Sequence, residues 1–256
     1  MVTPPPRDDV PLSLMIDFDG TLVEPNVAIV LVEQFCPDGA RVANEVDLLL
    51  HSGKMTLREA WEREAALMRA DQIPEMIDYV VRHIPLREGA HELLGLLARH
   101  RVPTQIVSGG LDFYIDPVLK REGIDLPVRS DTSTTAPDGH LRVLHPHGHA
   151  TCRLCGICKA QVVRGSGGNG TRVAFVGDGS TDQYAAEVAD IVFARRRLLD
   201  LCRKRGIPAY PFEAFPPVTE RLRGWLEEGE PLPPPRPLGL ADSACPISRD
   251  LSGADT

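Results

Sequence analysis

Leu12-Ser13-Leu14-Met15-Ile16-Asp17-Phe18-Asp19-Gly20-Thr21 sets a short apolar run directly against two aspartates and a glycine. Five residues with no helical spacing read as a buried strand, and Asp-Phe-Asp-Gly stops it. Two more strands of this kind follow. Pro103–Val107 runs into Ser108-Gly109-Gly110, and Arg172–Val176 runs into Gly177-Asp178-Gly179-Ser180-Thr181-Asp182. Amphipathic helices are expected between and after them, over 88–100, 113–122, 181–188 and 196–205, with a further strand at Ile191–Ala194. Strand and helix in alternation predict an α/β protein with a doubly wound, Rossmann-like parallel sheet.

Between the first two strands lies a long stretch without strand signals. Val27–Phe35 and Val42–Leu50 carry apolar residues at helical spacing, and Thr56-Leu57-Arg58-Glu59 has the form of a capping box. Pro74 suits a first helical turn ahead of Met76-Ile77-Tyr79-Val80-Val81. The expected organisation is a flexible arm over 1–11, a core domain over 12–24 and 86–225, and a helical cap over 25–85. Residues 126–150 read as an irregular β excursion. A proline-rich tail over 226–256, beginning around PLPPPRPLG, is expected to be disordered.

In an open parallel sheet the carboxyl ends of the strands face the ligand crevice. Asp17, Asp19, Asp178 and Asp182 are expected there with the Ser108 hydroxyl and several glycine amides. Like charges so close are costly unless a cation neutralises them, and an all-oxygen set suits Mg²⁺. Converging carboxylates, a hard cation and glycine turns fit phosphoryl transfer through an aspartyl phosphate.

These motifs, in this order over roughly residues 12–222, resemble the haloacid dehalogenase superfamily, with its opening DxDGT and closing GDGxxD. The insert is similar to that superfamily's helical C1 cap. VSGGLDFYIDPVL, CGICKAQVVR and VGDGSTDQYAAEVADIVFARRRLLDLC are most similar to the methionine-salvage phosphatase branch. The resemblance implies that Asp17 is the nucleophile, and that Asp19 protonates the leaving oxygen and then activates water. It implies that Mg²⁺ is held by Asp17, the Asp19 backbone carbonyl and Asp178, with Asp182 through water or as an orienting group. Ser108 and Gly109 would bind phosphate, and Lys159 would restrain Asp17 and offset phosphate charge. The expected substrate is a small phosphorylated metabolite, 2-hydroxy-3-keto-5-methylthiopentenyl 1-phosphate in that branch.

Other protein classes share parts of this pattern. Phosphoserine phosphatases place a glutamate nine residues after the nucleophile, where this chain has Asn26. A phosphomutase shares the acid–base aspartate. A dehalogenase would lack Asp19. A phospho-accepting signalling domain gathers similar groups in a shorter chain without a cap.

His145, His147, His149, Cys152, Cys155 and Cys158 crowd into fourteen residues. Cys152, Cys155, Cys158 and His147 make a candidate structural zinc site, with local spacing of the right kind. The alternative is a cluster of reduced thiols beneath Lys159.

Composition limits the remaining classes. The 256 residues carry 28 basic and 36 acidic side chains, a net charge of -8 that argues against a nucleic-acid partner. Arg195–Arg205 is basic but lacks interleaved aromatics, so it reads as a solvated helix face. The longest apolar run, Val27–Val32, is far short of the roughly 20 residues of a membrane span. Without an apolar h-region near the N-terminus, and with only six cysteines, the expected location is cytoplasmic.

Overall fold

The computed structural model describes residues 11–168 and 170–253. The arm expected over 1–11 thus lies outside the described residues except for Pro11. In chain order the elements begin with β1 (Leu12–Ile16), α1 (Val27–Phe35), α2 (Gly39–His51), α3 (Leu57–Ala65), α4 (Ile73–His83) and α5 (Ala90–Arg99). Then come β2 (Thr104–Leu111), α6 (Asp112–Arg121), β3 (Val128–Thr135), β4 (Leu141–Leu144), α7 (Lys159–Gly165) and β5 (Arg172–Gly177). The chain ends with α8 (Gln183–Val188), β6 (Ile191–Ala194), α9 (Arg196–Arg205), β7 (Tyr210–Pro211), α10 (Pro216–Leu226) and α11 (Pro246–Ser252).

Two compact units emerge. The first comprises Met1–Asp17, Leu86–Gln105 and Lys159–Thr256. Within it β1 pairs in parallel with β5, from Leu12 opposite Arg172 to Ile16 opposite Val176. β5 pairs in parallel with β6, and β6 with β7. Every residue of β1 and β6 is buried, so both faces of this sheet are covered, as βαβ crossovers require. Leu93, Leu96 and Leu97 supply the buried stripe of α5, which packs on α10. Each such leucine contributes about 1.5–3 kcal/mol by leaving water.

Within the tail expected to be disordered, residues 226–253 carry long-range hydrogen bonds, and the last three residues lie outside the described ones. Arg236 donates to the carbonyls of Ala186 and Ala189, at the end of α8, the latter at 2.6 Å. A guanidinium there satisfies helix-end carbonyls and complements the helix dipole. Ser243 donates to the buried Glu187 carboxylate at 2.5 Å, and Gly239 N–H donates to the Glu187 carbonyl at 2.9 Å. Proline-rich composition predicts disorder only where such long-range partners are missing. The basic stretch also departs from expectation at one end: Arg196 and Arg197 are exposed, but Arg195 is buried and pairs with Glu213 at 2.9 Å.

The second unit comprises Phe18–Pro85 and Ile106–Cys158, so the helical insert shares a unit with α6, β3 and β4. The reason is packing: α4 lies on α6, and α3 on β4. The expected capping box is present, with Thr56 N–H donating to Glu59 Oε2 at 2.8 Å and Glu59 N–H to Thr56 Oγ1 at 3.2 Å. β3 and β4 form a regular antiparallel hairpin, Thr132 opposite Leu144, where an irregular excursion was expected. β2 continues through Ser108-Gly109-Gly110 instead of stopping before it. Its register with β3 shifts between Val107 and Leu111, so the glycine motif is an irregularity inside a strand. Among the described residues no helix is long and apolar enough to cross a membrane.

Candidate active site

The first unit gathers one set of charges. Asp17 follows β1 directly, its N–H extending the ladder to Val176 O at 2.9 Å, and Asp178 follows β5 directly. Because those strands are adjacent and parallel, both carboxylates emerge at the same carboxyl edge. Asp182 lies in the turn before α8. Its Oδ2 accepts the N–H groups of Asp178 at 2.9 Å and Gly179 at 3.0 Å, which fixes the side chain. Gly177 permits this approach, since a Cβ there would lie 2.6 Å from Asp182 Oδ2. Lys159 opens α7 and donates from Nζ to Asp17 Oδ1 at 2.6 Å and to Asp182 Oδ1 at 2.7 Å.

Asp17 and Lys159 are each 3% exposed and Asp182 is 0% exposed. Burial pushes the Asp17 carboxyl well above the usual range, and Asp182 adds to this against the pull of Lys159. Burial would lower Lys159, but the carboxylates of Asp17 and Asp182 outweigh it and raise its pKa. Ligand atoms of Asp17, Asp178 and Asp182 lie within 4.8 Å of one another. Three carboxylates facing one ammonium leave a negative excess, and oxygen donors at this spacing suit a hard divalent cation.

The second unit holds another expected set. Asp19 Oδ1 accepts the Val27 N–H at 2.8 Å. Asp19 Oδ2 accepts the Ser108 hydroxyl at 3.3 Å and the Tyr114 hydroxyl at 3.1 Å. Ser108 Oγ in turn accepts the Gly110 N–H at 3.0 Å. Ser108 was expected to hold phosphate, and its hydroxyl here is turned to Asp19. Gly109 faces open space, with nothing within 4 Å of a Cβ placed there. Sequence reasoning missed Tyr114, which is fully buried in the first turn of α6. Aromatic residues in a first turn are usually core, so no local signal separates this one.

The expected zinc site finds no support in the geometry. Among the described residues the aspartate set is the one group of metal-binding side chains with converging ligand atoms, and Cys152, Cys155, Cys158 and His147 do not make another. Neighbouring histidines have other tasks. His149 Nδ1 accepts the Cys152 N–H at 3.0 Å. His145 sits between carboxylates, Nδ1 at 3.0 Å from Asp131 and Nε2 at 3.0 Å from Glu62. Spacing of C-x-x-C type brings thiols near in sequence, but this loop spends its polar groups on hydrogen bonds and an ion pair.

Aspartates converging at the carboxyl edge of a parallel sheet, backed by one lysine, define an α/β protein with a carboxylate centre suited to a hard cation. The chain belongs to the haloacid dehalogenase-like hydrolase family, whose model matches residues 14–187. It is 32% identical over 215 residues to a 2-hydroxy-3-keto-5-methylthiopentenyl-1-phosphate phosphatase of Geobacillus kaustophilus, covering 83% of this chain and 96% of that one. A protein of the same name from Exiguobacterium sibiricum is 29% identical over 214 residues, with the same coverage of 83% and 96%. In fold the chain is similar to a phosphoserine phosphatase solved as a phospho-aspartyl intermediate analogue. The TM-score is 0.59 at 20% identity, covering 83% of this chain and 97% of that one.

Proposed function

We propose that the chain is a Mg²⁺-dependent phosphomonoesterase that hydrolyses a small-molecule phosphate ester through phospho-Asp17. The carrying observation is the converging set of Asp17, Asp178 and Asp182 with Lys159 on two of its carboxylates. An Asp17 oxygen attacks phosphorus, the ester P–O bond breaks, and Asp19 gives its proton to the departing oxygen. Water then attacks the phosphorus of the aspartyl phosphate and gives a proton to Asp19. The acyl phosphate P–O bond breaks, releasing inorganic phosphate and restoring the Asp17 carboxylate. General acid–base assistance of this kind contributes about 10²–10⁴-fold.

Asp17, Asp178, Asp182 and the Asp19 backbone carbonyl would hold Mg²⁺. Bound there, the cation supplies charge neutralisation and Lewis acidity at the phosphate oxygens. Lys159 keeps the Asp17 carboxylate aimed and adds positive charge, while Gly109 offers its amide to phosphate. The helical insert over 25–85 acts as the cap that selects small esters, and the reading of a cytoplasmic metabolic enzyme goes with it.

The favoured substrate class is the enol phosphate named for the relatives, 2-hydroxy-3-keto-5-methylthiopentenyl 1-phosphate. Asn26 weighs against phosphoserine. Its uncharged side chain is spent as the N-cap of α1, accepting the Ile29 N–H at 3.1 Å, so it offers no carboxylate to a substrate ammonium. A panel of small phosphate esters ranked by kcat/KM, with and without EDTA, tests the proposal. Preference for the thioether enol phosphate with loss of turnover in EDTA supports it; preference for phosphoserine, or EDTA-resistant turnover, overturns it.

A further inference from the structure

We infer that Tyr114 is a positioning residue for Asp19, holding its carboxyl group in the orientation from which a proton passes to the leaving oxygen. The inference rests on the reading of Asp19 as that proton donor. Tyr114 is 0% exposed, and its ring is fixed edge-on against Phe113, with centroids 5.4 Å apart at 87°. Phe18 lies on it at 6.4 Å. A ring so enclosed has little freedom, so its hydroxyl is presented at one point, 3.1 Å from Asp19 Oδ2.

At least three donors share the Asp19 carboxyl. Val27 N–H takes Oδ1, while the Ser108 and Tyr114 hydroxyls take Oδ2. The Ser108 hydroxyl is itself oriented, because its oxygen accepts the Gly110 N–H and its proton is left to point at Asp19. Rotating the carboxyl about χ2 would break contacts at both oxygens. Asp19 is only half-buried, so without these contacts water would compete for both oxygens.

The backbone is shaped around the same contact. A Cβ on Gly110 would lie 2.2 Å from the Tyr114 hydroxyl and 2.5 Å from Asp19 Oδ2. Any larger residue at 110 would therefore wedge the pair apart. The glycine at the irregular point of β2 thus makes room for the tyrosine–aspartate hydrogen bond, a role separate from any amide it offers to phosphate.

The test is kinetic and uses two esters with different leaving groups. Dinitrophenolate departs as a stabilised anion and needs little protonation; phenolate needs much more. The probes are 2,4-dinitrophenyl phosphate and phenyl phosphate, read as kcat/KM because that ratio covers the step in which the ester bond breaks. Tyr114→Phe keeps the ring and removes the hydroxyl, with thermal melting as the check that the fold is retained. It should lower kcat/KM for phenyl phosphate about tenfold, the worth of one hydrogen bond to a charged group, and for the dinitrophenyl ester less than about twofold. Gly110→Ala should show the same asymmetry. Asp19→Asn should show it more strongly, and adding Tyr114→Phe to Asp19→Asn should cost nothing further.

Equal losses for the two esters in Tyr114→Phe, or additive losses in the double variant, would overturn the inference while Asp19→Asn still discriminates between the esters. If Asp19→Asn itself loses both esters equally, Asp19 is not the donor, and the role of Tyr114 falls with that reading.

Discussion

Two clusters of charge, one in each unit, handle carboxylates in opposite ways. In the first unit Asp17, Asp178 and Asp182 face Lys159, three negative groups against one positive. In the second, Asp131 and Glu62 face His145 and Arg58, two against two, with Arg58 Nε 2.8 Å from Glu62. Both use side chains that a motif search would flag as metal ligands. The balanced cluster needs no further cation and serves to tie α3, β3 and the loop after β4 together. The unbalanced one is left with charge to share with a ligand. Charge balance, more than residue type, separates a site from a strut.

The largest test of that contrast is Asp17→Asn. It should cut hydrolysis of p-nitrophenyl phosphate in Mg²⁺ by at least about a thousandfold, because the nucleophile is gone. Thermal stability without metal should hold or rise, since one of three crowded negative groups becomes neutral. Near wild-type turnover would remove Asp17 from the mechanism, and a large loss of stability would mean that the cluster is a strut after all.

Asp182 and Asp178 sharpen the picture within the first cluster. Asp182 accepts two backbone N–H groups and Lys159 while fully buried, so Asp182→Ala should cost about 3 kcal/mol in chemical denaturation as well as activity. Asp178 is only half-buried. Asp178→Ala should leave the denaturation midpoint nearly unchanged and raise the Mg²⁺ concentration for half-maximal rate. The reverse pattern would exchange their roles.

At the balanced cluster the expectation inverts. His145→Gln should cost about 2 kcal/mol of stability by leaving Asp131 buried beside a neutral side chain. Metal content by elemental analysis, with Cys155→Ser alongside, should be the same as wild type; loss of about one zinc per chain would reinstate a metal site. The pH sign is fixed by the direction of the shift. Burial lowers His145, but Asp131 and then Glu62 outweigh it, so its pKa lies above the ordinary 6.5. The charged imidazole's contribution is therefore complete below pH 6.5 and lost as pH rises through the folded value. The gap between wild type and His145→Gln should be widest in mild acid.

Which parts of this were legible in the sequence follows from range. Asp17, Asp19, Asp178 and Lys159 stand beside strand and helix ends whose local signals are strong, so both their existence and their setting could be read. The path of β2 through Ser108-Gly109-Gly110 could not, because its register shift is set by pairing with β3. The anchoring of the tail around Arg236 depends on that residue finding carbonyls some fifty residues earlier in the chain. Tyr114 meets Asp19 across 95 residues, and its hydroxyl looks no different in sequence from that of any core tyrosine. The zinc expectation finds no support for the converse reason: short spacing is visible in sequence, but whether ligand atoms converge is not, and those of Cys152, Cys155, Cys158 and His147 do not.

Glu64 shows a third way to bury a carboxylate, and gives the smallest expected effect. It lies on α3, and burial first, then the charge of Asp47 on α2, pushes its pKa from 4.5 to about 7. Here both influences act in the same direction, so the group stays protonated where Glu62, two residues earlier, is charged. A folded pKa above the unfolded one means that the native state binds the extra proton between those values. Stability is therefore intact below about pH 4.5 and declines as pH rises through about 7. Linkage alone sets a ceiling of about 3 kcal/mol, and water reaching this half-buried side chain reduces it to about 1 kcal/mol. Glu64→Gln, which is neutral at every pH, should stabilise by about that much at pH 8 and by nothing measurable at pH 4, read from urea midpoints at constant slope. Asp47→Asn should recover a smaller part of the same gain, because its charge is the lesser of the two causes. A gain that is equal at the two pH values would locate the effect in packing, and the carboxyl of Glu64 would then be charged like its neighbour.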